Sequence, residues 1–395
     1  MLRALLKMKM PSLVRAGKRG PEAWGWLGVV DLRPDYVHTP VMTNAQRLPP
    51  SLTPLDLALN LLLRELKPVA AKKHPPLETS PCEADEIPEL RIWPPHDVAA
   101  VDGWALRASD LVGASSYTPL SLPRQPTWVE AGDRIPDGCD CVLDEDTIDA
   151  AGPTAQAFAE AIPGQGVRRK GGAVDVGRIA DAWRIGDIAA RRPRVRVVNI
   201  PGGNITAKLI AGRLREAGIE VVSVEAAARD AASIGRQLDA YHCNLLIVVG
   251  GSGVGRTDAS VKALAGRGEV LAHGLALQPG RTAAVGRIGQ TLVIVIPGAP
   301  DQALSAWWTL ALPALDRLTG RQRGTVTLPL ARKIASGVGI AEVALLERAA
   351  DSWIPLATGD LQLETVARAD AWLLVPGSSE GYAAGAPANA YLLRK

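Results

Sequence analysis

Leu245-Leu-Ile-Val-Val-Gly-Gly-Ser-Gly-Val-Gly-Arg-Thr-Asp258 joins five consecutive apolar residues to a glycine-rich turn, and this stretch decides the fold. An unbroken apolar run of that length predicts a strand buried on both faces, as in a largely parallel sheet covered by helices. Upstream, Val195-Arg-Val-Val-Asn-Ile200 reads as a strand and Pro201-Gly-Gly-Asn204 as a tight loop. Residues 205–217 follow as a helix with Ile205, Leu209, Ile210 and Leu214 on one face, and Ile219-Glu-Val-Val222 is a second strand. A helix near 231–241 leads back to the starting run. Downstream, Leu292-Val-Ile-Val-Ile296 is another apolar strand, followed by a helix through Leu304 and Trp308. The alternation predicts an α/β multidomain protein whose central three-layer αβα domain spans 193–320.

The flanks read differently. Residues 48–66 form a helical pattern in which Thr53 can cap and Pro54 suits the first turn, with Pro68 stopping it. Short alternating runs at Thr127–Glu130 and Asp140–Leu143, set between Gly, Pro and Asp turns, predict a small inserted β-rich module within 48–192. After Gly320-Arg-Gln-Arg-Gly324 the alternation returns, at Val343–Leu346 and Ala371–Val375, so 321–395 is expected to be a separate small β domain. Residues 1–47 carry Arg3, Lys7, Lys9, Arg15, Lys18 and Arg19 without a proper apolar core or cleavage site. They are expected to be a disordered extension or an over-long start ahead of Met42.

Composition excludes several classes. Hydrophobic residues make up 47% and charged residues 22%, the proportions of a soluble globular chain. The net charge of +3 is spread along the sequence rather than gathered with aromatics, which argues against a nucleic-acid groove. No apolar stretch is long enough for a membrane helix. Cys82, Cys139, Cys141 and Cys243 form no C-x-x-C pair, and His96 and His273 have no neighbours at metal-ligand spacing, so a reducing, cytoplasmic setting is expected.

Three strand-end loops can carry chemistry, because ligands of open α/β sheets sit at the carboxyl ends of the strands. In the loop after Val249, Gly250, Gly251, Gly253 and Gly255 allow close backbone approach, Ser252 adds a hydroxyl, and the next helix offers its positive end to an anion. Gln278-Pro-Gly-Arg-Thr282 sets Arg281, able to grip an oxyanion, beside Gly280. Pro297-Gly-Ala-Pro300 places Pro297 and Gly298 between a buried strand and a helix start. A lone glycine-rich loop is equally a tight turn; the two companions favour a phosphate cradle.

The flanking motifs add a resemblance. Asp97-Val-Ala-Ala-Val-Asp-Gly-Trp-Ala105 resembles the Asp-Asn-Ser-Ala-Met-Asp-Gly-Tyr-Ala signature of the molybdopterin molybdenumtransferases, the MoeA and gephyrin E-domain family. Gly132-Asp-Arg-Ile-Pro-Asp-Gly-Cys-Asp-Cys-Val142 with Glu145, then Val167-Arg-Arg-Lys-Gly171 and the three loops above, follow in family order over about 48–395. The resemblance implies a Mog-like central domain and an elongated homodimer. It implies insertion of molybdate into adenylylated molybdopterin with Mg²⁺ and release of AMP, in a cleft between the 250–258 loop and the Asp97–Ala105 segment of a partner subunit. A molybdoenzyme or adenylyltransferase is an implied partner. Carried over by motif, Asp97, Asp102 and Asp258 are the catalytic candidates. Asn204 joins the loop residues as a ligand contact, and Asp258 is the candidate metal ligand. From the residues alone, Asp97 and Asp102 are equally turn or cap residues, and Asp258 is equally a helix N-cap.

The chain also departs from the pattern. Ala131 stands for a Thr; Gly172 and Ala173 replace a Glu and an Asp; the loop after Ile200 is cut to Pro201-Gly-Gly; Gln278 replaces a Lys; and Ala299 replaces an Asn. These losses leave a rival reading open, a catalytically reduced molybdopterin-binding carrier serving one molybdoenzyme, since amides and Arg hold phosphate whereas transfer needs placed carboxylates.

Overall fold

The protein is described here from a computed structural model, over residues 46–71, 87–186, 191–238 and 243–394. Of the extension expected over 1–47, only residues 46 and 47 fall within them, and the end of the helix expected near 231–241 falls outside.

The chain enters as Thr53–Pro54 and α1 (Leu55–Leu63). Thr53 does not cap that helix. Its N–H donates to the Gly274 carbonyl at 2.8 Å, which draws Thr53–Pro54 into a parallel pairing with Leu275–Ala276 and leaves Pro54 as the cap residue. The inserted module is built on β1 (Gly103–Leu106), β2 (Thr127–Val129) and β3 (Cys141–Leu143), all antiparallel with β1 in the middle. Val98–Ala99 pairs separately with Val167–Arg168, and α2 (Val176–Ala182) ends this part of the chain.

The central sheet contains β4 (Arg194–Asn199), β5 (Glu220–Glu225), β6 (Leu245–Val249), β7 (Glu269–His273), β9 (Ala284–Ile288) and β10 (Thr291–Ile296), in the order β5-β4-β6-β10-β9-β7. The first four strands run parallel and the last two are antiparallel additions. Helices α3 (Asn204–Glu216), α4 (Ala231–Gln237), α5 (Ser260–Ala265), α6 (Pro300–Ala306) and α7 (Leu312–Thr319) accompany it. Every residue of β6 and β10 is buried. Alternate side chains serve opposite faces: Val197, Ile247 and Ile294 pack with Leu209, Leu214 and Leu315, while Val198, Val248 and Val295 pack with Ile234 and Leu264. Each such side chain contributes roughly 1.5–3 kcal/mol by leaving water, which is why the apolar runs alone predict the three layers.

One strand leaves the central unit. β8 (Leu275–Gln278) pairs in parallel both with Thr53–Pro54 and with β12 (Ala341–Ala349) of the C-terminal part. That second sheet continues through β14 (Ala371–Val375) and β15 (Pro387–Leu392) to β11 (Val326–Pro329), with β13 (Ser352–Thr358) hairpinned on β12 and α8 (Leu363–Arg368) beside it.

Candidate functional site

The chain passes from β4 to β5 on one side and then to β6 on the other, so a crevice opens beyond the carboxyl ends of β4 and β6, where α/β sheets bind ligands. Three turns meet there. A Cβ built on Gly298 would lie 3.4 Å from the Gly250 Cα and 3.5 Å from the Gly203 Cα. The turns after β4, β6 and β10 thus touch, and in the first of them a Cβ on Gly203 would lie 2.9 Å from the Val249 carbonyl oxygen, too close for a side chain. Gly250 (φ +94°) and Gly251 (φ +63°) also hold conformations that other residues avoid.

The Gln278–Thr282 loop closes the crevice, and the Thr282 hydroxyl lies 3.1 Å from that of Ser252. The resulting cleft has a volume of about 770 Å³ and is lined by Gly250 to Val254, Gly280, Arg281, Pro297 and Gly298, with Asp102 and Asp258 on its wall. A larger cavity of about 1110 Å³, between α1, α7 and the C-terminal sheet, contains none of these turns. Gly280 (φ +105°) sits where a Cβ would come within 2.5 Å of the Ser305 hydroxyl. Gly280→Ala should therefore cost about 1–3 kcal/mol and lower the melting temperature by several degrees, a loss that a thermal melt would register.

The amides divide into two sets. Those of Val261 and Lys262, at the start of α5, donate to the Gln46 side-chain carbonyl at 2.9 and 3.2 Å, so the helix end expected to face a ligand is occupied by the chain's own Gln46. The Gln46 amide in turn donates to the Gly253 carbonyl at 2.7 Å and fastens the loop from behind. The Ser252 and Gly253 N–H groups donate to nothing among the described residues, and both residues line the cleft.

Asp258 is the most perturbed acid of the cleft. Burial and the nearby Asp102 carboxylate push it up to about 6, against the pull of Arg229 and of the Gly255 N–H. Its two oxygens take the Arg229 Nη2 at 2.9 Å and the Gly255 N–H at 3.1 Å. Asp102 accepts from the Ala131 N–H at 2.8 Å, and burial raises it against the pull of the Ala131 and Val254 amides. Asp102 thus ties the inserted module to the glycine loop of the same chain. Within the one chain, the module's Asp97–Ala105 segment brings Asp102 to the wall of the cleft beside the glycine loop. Glu130 accepts from the Thr257 N–H and hydroxyl, and the Arg256 guanidinium lies 4.2 Å from the Trp128 ring centre, closing the same contact.

Other expected residues lie elsewhere. Asp97 accepts from the Lys170 N–H and Arg169, which hold it below the usual carboxylate range, and it does not line the cleft. Asn204 opens α3 and accepts from the Asn199 side chain at 2.6 Å, outside the lining. The Gly255 amide serves Asp258. The Gly172 N–H donates to Glu364 of α8, away from the cleft. His273 meets the Ser252 carbonyl at 3.2 Å.

Sequence reading missed Arg229, Gln46 and Asp301. Arg168, present in a quoted motif, pairs with buried Asp301 at 2.7 Å and lies over Trp93, with its guanidinium 5.2 Å from the ring centre and facing the cleft. The Pro-Gly-Ala-Pro turn running straight into Asp301 was the signal that could have pointed to it.

Compared with known proteins, residues 53–182 match the family model described as the MoeA N-terminal region (domain I and II), and residues 188–317 match the one described as a probable molybdopterin binding domain. The chain belongs to the MoeA family. It is an α/β multidomain member with a Mog-like central domain. Molybdopterin molybdenumtransferase 2 of Mycobacterium tuberculosis is 27% identical over 284 residues, covering 58% of this chain and 70% of that protein. The molybdopterin molybdenumtransferase of Synechococcus elongatus is 25% identical over 392 residues, covering 84% and 97%. A crystal structure of the molybdopterin biosynthesis MoeA protein of Pyrococcus horikoshii superposes with a TM-score of 0.48 at 20% identity, over 87% of this chain and all of that one (100%). Within MoeA terms, the Ala131 and Val254 amides around Asp102 mark where the inserted module meets the Mog-like domain. No helix among the described residues is long and apolar enough to cross a membrane.

Proposed function

We propose that this MoeA-family chain acts in molybdenum cofactor biosynthesis, inserting molybdate into adenylylated molybdopterin with release of AMP. The observation that carries the reading is the convergence of the Gly203, Gly250 and Gly298 turns on one cleft, with Ser252 and Gly253 on its lining. Backbone N–H groups and the guanidiniums of Arg168 and Arg281 match the phosphate and oxyanion groups of such a substrate. Arg168 is the better placed of the two cations, since Asp301 and the Trp93 ring fix it before any ligand arrives. Asp258, balanced between its two charge states near neutrality, can hold or release a proton beside the leaving phosphate.

Mg²⁺ is implied by the resemblance, and its fit depends on donors. The oxygens of Asp258 already serve Arg229 and Gly255, and Asp102 accepts from the Ala131 amide. Among the described residues no group of three His, Cys, Asp or Glu side chains could hold a metal ion. Beside a phosphate, Mg²⁺ needs only one or two protein carboxylates, but here the Arg229 guanidinium already balances the Asp258 carboxylate that would supply one, so the residues present do not fit Mg²⁺, and no step is assigned to it. The rest of the setting we propose is a cytoplasmic homodimer that receives its substrate from an adenylyltransferase and passes its product to a molybdoenzyme. Free thiols at Cys139, Cys141 and Cys243 suit a reducing compartment.

Purified protein incubated with adenylylated molybdopterin and molybdate should release AMP and yield the metal-bound cofactor. Tight binding without AMP release would instead support the carrier reading, and the absence of binding would overturn both.

A further inference from the structure

Arg229 stands on the connection from β5 to α4, one residue before Asp230, whose carboxylate caps α4 by accepting from the Ala232 and Ser233 amides. Its backbone is thereby fixed. The side chain reaches back across the shortened turn after β4, where Nη1 donates to the Pro201 carbonyl at 3.0 Å and Nη2 to Asp258 at 2.9 Å. A Cβ on Gly202 would come within 3.2 Å of Nη1, so the glycine (φ +101°) leaves the guanidinium its space. The Nε–H is buried and has no partner among the described residues, and the residue lines the cleft.

A delocalised cation therefore already offsets the charge of Asp258, the carboxylate that a divalent ion in this cleft would use. Guanidinium is always charged, is weakly hydrated and offers donors in a fixed plane, so it can neutralise a carboxylate and meet an anion together. A metal ion would meet a carboxylate whose charge the guanidinium already offsets and whose oxygens it would have to share with Arg229 and the Gly255 amide.

We propose that Arg229 is the resident counter-cation of the cleft, and that this chain binds an anionic ligand of the nucleotide-phosphate class without a divalent metal ion. The inference rests on the reading that the cleft takes a phosphorylated ligand, and it replaces the metal dependence implied by the resemblance with a property of the chain itself.

Calorimetric titration of the full chain with AMP, in EDTA and in excess Mg²⁺, tests it, together with Mn²⁺ binding followed by electron paramagnetic resonance. The dissociation constant of the unmodified protein should agree within about twofold between the two buffers, and Mn²⁺ should not bind stoichiometrically. Arg229→Ala should weaken AMP binding in EDTA by about tenfold or more, with Mg²⁺ restoring part of the loss because Asp258 becomes available to it. Arg229→Lys, the variant to use if the Ala form does not fold, retains a charge but cannot bridge Pro201 and Asp258, and should lose less than the Ala form. The proposal is overturned if the unmodified protein needs Mg²⁺ for AMP binding, if it takes up one Mn²⁺ per chain, or if Arg229→Ala binds AMP normally in EDTA. AMP binding in neither buffer overturns the phosphate reading of the cleft along with it, an outcome distinct from the other three.

Discussion

Asp258→Ala is expected to lower AMP release by about 100-fold or more while leaving the cleft folded. The carboxylate is nearly buried on the cleft wall, and its partners Arg229 and Gly255 hold it in one orientation. At about 6, its titration puts both charge states within reach of neutral pH. If the anion is the working form, turnover rises with pH through about 6 in the parent and loses that limb in the variant. The stability dependence has the opposite sign. The folded value lies above the ordinary 3.8, so the folded chain holds this proton more tightly than the unfolded one. The associated stability is complete below 3.8 and is lost as pH rises to about 6, a cost of roughly 3 kcal/mol. Stopped assays of AMP release across this range, paired with urea midpoints, would separate the two effects. An unchanged rate would remove Asp258 from the reaction.

Arg168→Leu should produce the largest loss of stability, about 3–5 kcal/mol, because it strands the Asp301 carboxylate without its partner. Asp301 has a side-chain exposure of only 7%, and its remaining hydrogen bond is with the Gln302 amide. Burial raises Asp301, and Arg168 opposes that rise. A raised acid contributes stability below its unfolded value and loses it as pH climbs through the folded one. Removing Arg168 raises the folded value further, so the deficit of the variant should widen with rising pH and shrink on acidification. Urea midpoints at about pH 4.5 and about pH 7.5 would show this. Arg168→Leu with Asp301→Leu should recover most of the loss, since paired apolar side chains tolerate burial that a lone carboxylate does not. A deficit independent of pH would mean that lost packing on Trp93, rather than stranded charge, is responsible.

The central layers were legible because β6 and β10 are apolar at every position and their turns are glycine-rich; period and punctuation sufficed. The convergence of Gly250 and Gly298 could be read from the rule that strand ends gather ligand loops. Three things could not. The capping of α5 by Gln46 spans 215 residues of sequence, and nothing local at Gln46 announces it. The Arg229–Asp258 pair depends on how the chain returns after β5, a matter of packing rather than pattern. Thr53 has a sound local reason to cap a helix, but a tertiary hydrogen bond to Gly274 overrides it. Asp97 illustrates the limit of motif transfer, since in this chain its neighbours Arg169 and Lys170 claim both of its oxygens.

Strand β8 runs directly into the Gln278–Arg281 turn and is clasped between Thr53–Pro54 and β12, while Gly359, just past β13, also touches the cleft. The tail is therefore a splint for the ligand pocket rather than an appendage. The Ala341–Glu342 end of β12 pairs with Leu277 and Gln278, the residues that lead into Gly280 and Arg281, so a shift there would move the turn itself. A partner that grips the C-terminal sheet would thus have a mechanical handle on ligand retention without approaching the pocket.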